Sequence, residues 1–369
     1  MTMRAQAEID LGAITHNIRT ISARTSAKVL AVVKADAYGH GLIPVAQAAL
    51  DGGAHYLGVA LLEEAISLRT SGITAPIIAW LTPPGSNFQK ALSHDIELSV
   101  PSADIFREIL TAAIESEVKP RIHIEVDTGM SRGGFLEDWN VFLSELAEHQ
   151  NEVEASGFWS HFARADEPGE VANARQLSDF EHKLAQLQDL GIHPTYVHFA
   201  NSAATLTNSD AQKDIVRVGI AMYGLSPDIT TLGEVSQWGL QPAMTLKAIL
   251  HLVKHVPAGS AVGYGGTAVL DHDTKLGVVA MGYADGISRR TSSSAAVTIN
   301  GERAHIIGRV SMDQFVVDLG ISSNAKAGDM VTIFGHQASS ADEWAQAAGT
   351  INYEIVTRIG PRVPRIYLH

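Results

Sequence analysis

The amino-acid sequence predicts an α/β protein that begins with an N-terminal (β/α)8 barrel of the TIM type and ends in a mostly β C-terminal domain. Eight short apolar runs alternate with longer segments of helical period between Lys28 and about Gly219, which matches the unit count and the length of such a barrel. Beyond residue 240, runs with alternating polar and apolar residues predominate. We therefore predict a barrel over residues 1–230 and a second domain over residues 240–369. An open, doubly wound sheet is the alternative for the first part.

The first predicted strand, residues 28–33, reads KVLAVV and is apolar on both faces, as a strand buried on both sides must be. A charged amine has no place inside it, so Lys34 marks its carboxyl end. The next segment carries Tyr38, His40 and two glycines, which allow a tight turn. A partly desolvated lysine has a lowered pKa, and its neutral amine can attack an aldehyde to form a Schiff base. A surface lysine just past a strand is the alternative interpretation.

The remaining units of the barrel follow the same pattern. The other strands are predicted at residues 56–60, 76–80, 96–100, 121–126, 153–160, 196–200 and 215–218. Apolar residues recur at intervals of three and four, and so predict helices, at residues 42–50, 62–70, 103–115, 139–148 and 174–190. Active sites of such barrels lie at the carboxyl ends of the strands. The polar residues near those ends are Lys34, Glu125, Asp127, Arg132, His161, Asn201, Ser202 and Arg217.

The last two barrel units suit the binding of a phosphate group. Phosphates in such barrels often bind beyond the last strands, where backbone N–H groups at a helix start can meet the anion. The segments HFANSAA (198–204) and RVGIAMYG (217–224) supply that chemistry.

The sequence changes character after the barrel. Residues 225–241 show no sustained period and are interpreted as a linker, whereas residues 245–256 alternate as an amphipathic strand does. His251 and His255 share the outer face of this strand. No HExxH glutamate accompanies them, so we interpret them as surface residues rather than as metal ligands.

Turn and cap signals organise the rest of the second domain. Asn300 and Gly301 join two β-like runs as a type I′ hairpin turn does. Two further strands are predicted at residues 314–319 and 329–334. Ser340 and Glu343 have the spacing of a capping box, for a helix that ends near Gly349.

The composition excludes several kinds of partner and site. With 40 acidic and 27 basic residues, the chain has a formal charge of −13 and shows no basic cluster, which argues against nucleic-acid and anionic-membrane partners. It contains no cysteine, which excludes disulfides, thiolate metal sites and a cysteine nucleophile. No basic and apolar leader segment is seen, and the apolar runs are too short to cross a bilayer. We expect a cytoplasmic protein.

Ten motifs, matching in identity, order and spacing, carry a resemblance over nearly the whole chain. They are KADAYGHG, HIEVDTGMSRGG, SHFARAD, HFANSAA, RVGIAMYG, LQPAMTLKA, VGYGGT, GYADG, GRVSMDQ and INYEIVTRIGPRVPRIY. Together they resemble the alanine racemases that use pyridoxal phosphate. Taken alone, GYGGTA at 263–268 also fits the glycine fingerprint of dinucleotide folds, but no helical pattern opens after it.

The resemblance implies the acid–base groups. Lys34 would hold pyridoxal phosphate as a Schiff base and act as a base on one face of the α-carbon. Racemisation needs a second acid/base on the other face, which in the family is a tyrosine from the second domain of the partner subunit and corresponds to Tyr264. His161 and Arg217 match the residues that lower its pKa, and Arg217 would also face the pyridine nitrogen. Read alone, Tyr264 equally fits a structural turn, and Arg217 fits a pairing with a barrel carboxylate.

The resemblance also implies how cofactor and substrate are held. The cofactor-binding positions of the family correspond to Lys34, Tyr38, His161, Asn201, Ser202, Arg217, Gly219, Ile220 and Tyr353. Hydroxyls and backbone amides among them suffice for a phosphate. Arg132 matches the arginine beside the cofactor's phenolic oxygen and the substrate carboxylate. Met312, through its backbone amide, and Asp313 resemble the partner subunit's contribution to substrate binding, and Tyr283 resembles a gate residue at the entrance.

Two positions depart from the family pattern. Many members have a lysine, carbamylated by carbon dioxide, seven residues before the arginine that corresponds to Arg132, and here Glu125 stands at that position. A carboxylate offers the same negative charge from a shorter side chain, so we expect Glu125 to orient Arg132 without a carbamate. Ser311 replaces a frequent cysteine, and we expect little consequence.

The resemblance implies a homodimer with shared active sites that interconverts L-alanine and D-alanine and supplies D-alanine for peptidoglycan. Two alternatives share the barrel. Pyridoxal-phosphate-dependent decarboxylases of ornithine, arginine or diaminopimelate carry a cysteine in the second domain, which this chain lacks. A non-catalytic carrier of pyridoxal phosphate has no second domain, and so would not need residues 240–369 or Tyr264.

Overall fold

A computed structural model describes residues 3–369. Eight parallel strands close a barrel in chain order, and the last strand pairs with the first. The barrel strands are β2 (Lys28–Val32), β3 (Tyr56–Val59), β4 (Ile77–Ala79), β5 (Glu97–Val100), β6 (Arg121–Glu125), β7 (Glu154–Trp159), β8 (Tyr196–His198) and β9 (Ile215–Val218). The predicted barrel is therefore confirmed, and closure of the sheet excludes the open alternative.

Helices cover the outside of the barrel. The α-helices of this part of the chain are α1 (Leu11–Ser22), α2 (Lys34–Gly39), α3 (Leu42–Asp51), α4 (Leu62–Thr70), α5 (Phe88–Ser93), α6 (Ala103–Ser116), α7 (Trp139–Glu148), α8 (Val171–Asp189), α9 (Ser202–Thr207) and α10 (Ile229–Leu232). Among the described residues, no helix combines the length and the apolar character needed to cross a membrane. The residues predicted as a linker are more ordered than expected, because Leu225, Leu232 and Leu240 are buried against the core.

The second part of the chain is mostly β, as predicted. Its strands are β10 (Met244–Val256), β11 (Ala261–Val262), β12 (Ala268–Val269), β13 (Thr274–Val279), β14 (Ala296–Ile299), β15 (Glu302–Ile306), β16 (Phe315–Asp318), β17 (Met330–Phe334) and β18 (Arg365–Leu368). Its helices are α11 (Ala341–Ala348) and α12 (Asn352–Thr357). The main sheet also includes β1 (Ala5–Asp10) from the amino terminus and has the order β13-β16-β15-β14-β17-β10-β1-β18.

One strand of this sheet comes from the amino terminus of the chain. β1 (Ala5–Asp10) pairs antiparallel with β10 and parallel with β18. We predicted no element there, although AQAEID alternates in burial as a one-sided strand does. The strand was missed because its partners, β10 and β18, lie far along the chain and no local pattern reports them.

Local signals in the second domain are mostly confirmed. Asn300 and Gly301 form the predicted turn between β14 and β15 with φ of 51° and 85°. Ser340 caps α11 by accepting a hydrogen bond from the Glu343 N–H at 3.0 Å. The capping box was only half right, because the Glu343 carboxylate binds Arg303 at 2.8 Å instead of returning to the cap.

Candidate active site

The strand ends of the barrel gather the charged residues that the sequence placed there. Lys34 follows β2 after one intervening residue, Val33, and is half-buried. Burial lowers the pKa of its amine, and the positive charges of Arg132 and Arg217 lower it further, while Glu64 opposes them. A lysine in this setting keeps a larger neutral fraction than a surface lysine does, so it is better suited to attack an aldehyde.

The chain turns left-handed immediately after Lys34. In α2 the residues Ala35, Asp36, Ala37 and Tyr38 all have φ between 52° and 54°. Each non-glycine residue in this conformation costs about 1–2 kcal/mol, because its Cβ approaches the following carbonyl oxygen. The sequence predicted a tight turn made by glycines, whereas in the structure four residues other than glycine also adopt positive φ. Contacts from elsewhere in the chain must therefore hold the turn.

Three side chains hold this left-handed turn. Glu64, at the start of α4, accepts a hydrogen bond from the Ala35 N–H at 2.6 Å. Asp36 accepts from the Leu42 N–H at 2.8 Å and so joins the turn to α3. Arg365 in β18 donates to the carbonyl of the last residue of α2 at 2.9 Å. Both domains thus contribute to the placement of the segment between Lys34 and Tyr38.

Hydroxyl and amide groups meet where the sequence predicted a phosphate. The Ser202 hydroxyl accepts hydrogen bonds from the N–H groups of Gly219 at 2.9 Å and Ala221 at 3.4 Å. A Cβ at Gly219 would lie 2.6 Å from the Tyr38 hydroxyl oxygen, so a side chain at this position would clash with Tyr38. The ring of Tyr353 lies 6.2 Å from the ring of Tyr38. Burial raises the pKa of both tyrosines, which keeps both as neutral donors.

Asn201 precedes Ser202 in the chain, and Ile220 follows Gly219. The Asn201 side chain accepts a hydrogen bond from the Ala204 N–H at 3.0 Å and so caps α9. Ile220 begins a short 3₁₀ turn that continues to Tyr223. Within the described chain the hydroxyl groups of Tyr38, Ser202 and Tyr353 donate to no other residue, and neutral donors of this kind suit the phosphate of pyridoxal phosphate.

Arg217, in β9, is almost completely enclosed by acceptors. Nη1 donates to the His198 carbonyl at 2.9 Å and lies 3.2 Å from His198 Nδ1. Nη2 donates to the carbonyls of Ser160 at 2.8 Å and Phe199 at 3.1 Å, and lies 3.2 Å from His161 Nδ1. Within the described chain, Nε–H is the one N–H group of Arg217 that takes part in none of these bonds. Burial lowers the pKa of Arg217 to about 9, so the guanidinium is charged at neutral pH.

Glu125 and His161 complete the charge pattern of the site. Burial raises the pKa of Glu125 to about 7, although Arg132 and Arg217 pull it down. Burial lowers the pKa of His161 well below its ordinary value, and the neighbouring positive charges of Arg217, Arg132 and Lys34 act in the same direction. His161 is therefore neutral at pH 7 and can accept from Arg217.

Asp127 has a supporting role in the loop that carries Arg132. Its Oδ1 accepts from the backbone N–H groups of Gly129, Met130 and Ser131 at 2.8, 3.0 and 3.2 Å. This carboxylate therefore stabilises its own loop, a role that the sequence did not predict.

The residues expected from the second domain lie on the surface of the chain. Tyr264 is 70% exposed and Met312 is 53% exposed, and Tyr283 is also exposed. Asp313 pairs with Arg362 at 2.7 Å. Among residues 3–369, no hydrogen bond or ion pair joins Tyr264 to the charged residues at the strand ends. One chain thus brings together the barrel residues and leaves these side chains facing outward.

No cluster of three or more potential metal ligands exists among the described residues. His251 and His255 are exposed on β10, as interpreted from the sequence. The groups that sequence reasoning missed are Glu64, Arg365 and His198. The first two are remote in sequence from the residues they hold, although His198 stands inside the motif HFANSAA and could have been singled out there.

Two family models together span almost the whole chain. Residues 9–227 match the model described as alanine racemase, N-terminal domain, and residues 243–367 match the model described as alanine racemase, C-terminal domain. The chain is 46% identical over 371 residues to an alanine racemase of Salinispora tropica, a match that covers 99% of this chain and 98% of that protein.

Solved structures agree with these matches. The alanine racemase from D-cycloserine-producing Streptomyces lavendulae superposes with a TM-score of 0.97 at 45% identity, covering 100% of this chain and 98% of that one. The alanine racemase from Bacillus anthracis with bound L-Ala-P has a TM-score of 0.89 at 37% identity, covering 100% and 96%. The chain therefore belongs to the alanine racemase family.

Proposed function

We propose that this protein interconverts L-alanine and D-alanine with pyridoxal phosphate as its cofactor. The observation that carries the proposal is the combination at the strand ends of a lysine of lowered pKa with a buried arginine whose Nε–H is left over. A decarboxylase or a carrier would also use the lysine. The match of the second domain to the family model favours the racemase.

The residues of the barrel fit pyridoxal phosphate. Lys34 would bind its aldehyde covalently, Arg217 would donate from Nε–H to its ring nitrogen, and the pocket of Tyr38, Ser202 and Tyr353 would take its phosphate through neutral donors. Arg217 keeps its own proton, since its pKa of about 9 lies above neutral pH. When bound, the cofactor supplies an electron sink that makes the α-proton of an amino acid labile.

Proton exchange on both faces of the α-carbon needs two groups. Lys34 is proposed to hold or release the proton on one face, and Tyr264 of the partner subunit on the other. The exposure of Tyr264 supports this, because a side chain that is 70% exposed is available to a second chain. The active form is then a homodimer in which each site uses both subunits.

The substrate carboxylate is proposed to bind Arg132, with the partner's Met312 and the partner's Asp313 closing the other side. Tyr283 would stand at the entrance. Glu125 would balance the charge of Arg132, whose attraction lowers the pKa of Glu125 against the effect of burial. The Bacillus anthracis relative is described with L-Ala-P bound, which supports an alanine-sized ligand. We further propose a cytoplasmic role in supplying D-alanine for peptidoglycan.

The decisive experiment incubates the protein with pyridoxal phosphate and L-alanine in deuterated water. We expect D-alanine that carries deuterium at the α-carbon, because two groups exchange protons on opposite faces. Deuterium in L-alanine alone would mean that only one group works. Release of carbon dioxide would indicate a decarboxylase, and absence of any exchange would indicate a carrier.

A further inference from the structure

A chain of hydrogen bonds runs through the barrel interior from the active-site arginine to the opposite end of the strands. Arg217 Nη1 lies 3.2 Å from His198 Nδ1, and His198 Nε2 lies 3.0 Å from His123 Nδ1. His123 Nε2 lies 2.6 Å from Glu97 Oε2. Arg121 donates to the other oxygen of Glu97 at 3.1 Å. Glu97 and Arg121 begin β5 and β6, so this series of hydrogen bonds links the two ends of the barrel.

Only one direction of donation satisfies every link. A guanidinium is only a donor, so Nδ1 of His198 must accept from Arg217. Burial and the charge of Arg217 hold the pKa of His198 well below its ordinary value, so the ring is neutral and carries its proton on Nε2. His198 then donates to His123, and His123 donates from Nε2 to the carboxylate of Glu97. The network thereby assigns the same tautomer to both imidazoles.

The barrel interior is shaped to hold these rings. Glu97, His123 and His198 are all buried. A Cβ at Gly157 in β7 would lie 1.8 Å from His123 Nδ1, so the ring occupies space that only glycine leaves. The ring of Trp159 lies parallel to that of His198, at 3° between planes, and 5.0 Å from the guanidinium carbon of Arg217. His123 is thus packed against Gly157, and His198 is packed against Trp159.

We propose that Glu97 is a positioning residue for Arg217, acting through His123 and His198 held in one tautomer. When Glu97 is negatively charged, His198 offers a lone pair to Nη1 of Arg217, and Nε–H of Arg217 stays available to the cofactor. Without that charge, His123 can carry its proton on Nδ1, where it would oppose the N–H of His198. Arg217 would then lose one of its fixed acceptors. The inference rests on the proposed function, in which Arg217 meets the ring nitrogen.

The test is Glu97→Gln, which keeps the shape of the side chain and removes its charge. Tyr196→Phe is the matched control, because Tyr196 lies at the same end of the barrel. Its hydroxyl accepts a hydrogen bond from Lys28 at 2.8 Å and takes no part in the hydrogen bonds between Arg217 and Glu97. Both variants and the wild type are compared with pyridoxal phosphate bound. The readouts are the cofactor absorption spectrum, kcat and KM for L-alanine, and 15N NMR of histidine-labelled protein, with His123 assigned through His123→Gln.

In Glu97→Gln we expect kcat to fall about tenfold or more while KM changes by less than about twofold, which is the pattern of a group acting in the transition state. We also expect an altered cofactor absorption and a proton on Nδ1 of His123. Tyr196→Phe should match the wild type in each. Wild-type kcat, absorption and tautomer in a folded Glu97→Gln protein would overturn the inference.

A second variant covers the case in which Glu97→Gln does not fold. His123→Gln interrupts the series of hydrogen bonds one residue nearer to Arg217 and should show the same fall in kcat and the same change in absorption. Wild-type values in this variant would reject the inference.

If the wild type makes no D-alanine, the proposed function fails by itself. The absorption and the tautomers still decide the inference, because neither needs turnover.

Discussion

Lys34 and Glu125 respond to burial in opposite directions. Burial lowers the pKa of Lys34 and raises the pKa of Glu125 to about 7, since in each case the neutral form is favoured away from water. Arg132 acts on both through its positive charge, which disfavours the ammonium of Lys34 and favours the carboxylate of Glu125. Replacing Glu125 or Arg132 therefore changes the pKa of the other charged residues of the site.

The first prediction concerns Glu125→Gln, which removes the charge beside Arg132. We expect KM for L-alanine to rise about tenfold and the dissociation constant for pyridoxal phosphate to change by less than about twofold, because the charge of Glu125 attracts Arg132, which we propose binds the substrate carboxylate. Steady-state kinetics and cofactor titration measure both. Glu137→Gln, at an exposed position, is the control for loss of charge alone. Unchanged kinetics in Glu125→Gln would reject the role of this carboxylate.

The raised pKa of Glu125 also predicts how stability depends on pH. Its ordinary value is 4.5 and its folded value is about 7, so the folded protein binds more protons than the unfolded chain between these values. This group therefore makes the free energy of unfolding fall as pH rises through that window and level off above it. Urea unfolding at several pH values measures the slope. Glu125→Gln should lose this component, and identical slopes in both proteins would contradict the prediction.

The sequence shows which charged residues meet but not what holds them. Lys34 could be placed at a strand end because the apolar run before it cannot contain a charge. Glu64 holds the turn after Lys34 only because β2 and β3 are neighbours in the closed barrel, which no local pattern reports. Asp127 was expected among the polar site residues, yet it organises its own loop. Such pairings follow from tertiary structure rather than from residue type.

At the scale of elements, the left-handed turn α2 predicts an unusual response to glycine. Ala35 is exposed and has a φ of 53°, so Ala35→Gly removes a conformational cost of about 1–2 kcal/mol against an added entropy cost of about 0.5–1 kcal/mol. We expect the free energy of unfolding to rise by about 0.5–1 kcal/mol. Ala174, exposed in the right-handed helix α8, is the matched control.

Ala174→Gly should lower the free energy of unfolding by about 1 kcal/mol, as glycine does in an ordinary helix. Equilibrium urea unfolding of the two variants therefore gives opposite signs for the same chemical change. A loss of stability of similar size in both proteins would mean that Ala35 is not left-handed in solution.

Elements differ in how well the sequence predicts them, and the difference follows from their surroundings. Some barrel strands are buried on both faces and apolar throughout, as all four residues of β3 are, so an unbroken apolar run identifies them. Others, such as β6, carry polar side chains into the barrel interior and are harder to predict from composition. The handedness of α2 could not be predicted, because alanine and tyrosine rarely adopt positive φ, and aspartate does so as a single residue rather than in a run of four. β1 depends on partners far along the chain at β10 and β18, which a local pattern does not show.

At the scale of the whole molecule, the amino terminus links the two parts of the chain. Arg4 makes two hydrogen bonds to Asp285, at 2.9 and 2.7 Å, just before β1 enters the second-domain sheet. From β1 the chain passes through α1 to the first barrel strand, so the barrel is connected to the second-domain sheet at both of its ends. The surface that carries Tyr264, between β11 and β12, and Met312, between β15 and β16, thus belongs to a domain whose main sheet includes β1.

The last prediction tests whether that surface completes a neighbour's site. Chains with Lys34→Ala and chains with Tyr264→Phe should each be nearly inactive alone. In a mixed dimer, the site that has Lys34 receives Tyr264 of the partner subunit, so one complete site returns per dimer. Random mixing gives mixed dimers in half the population, and we expect about a quarter of wild-type activity.

The measurement unfolds and refolds the two variants together and compares D-alanine formation with that of each variant refolded alone. Wild-type protein carried through the same procedure is the control for recovery. If each site used Tyr264 from its own chain, mixing would restore nothing, because neither chain has both residues. A recovery near a quarter therefore requires the exposed tyrosine of one subunit to act beside the lysine of the other.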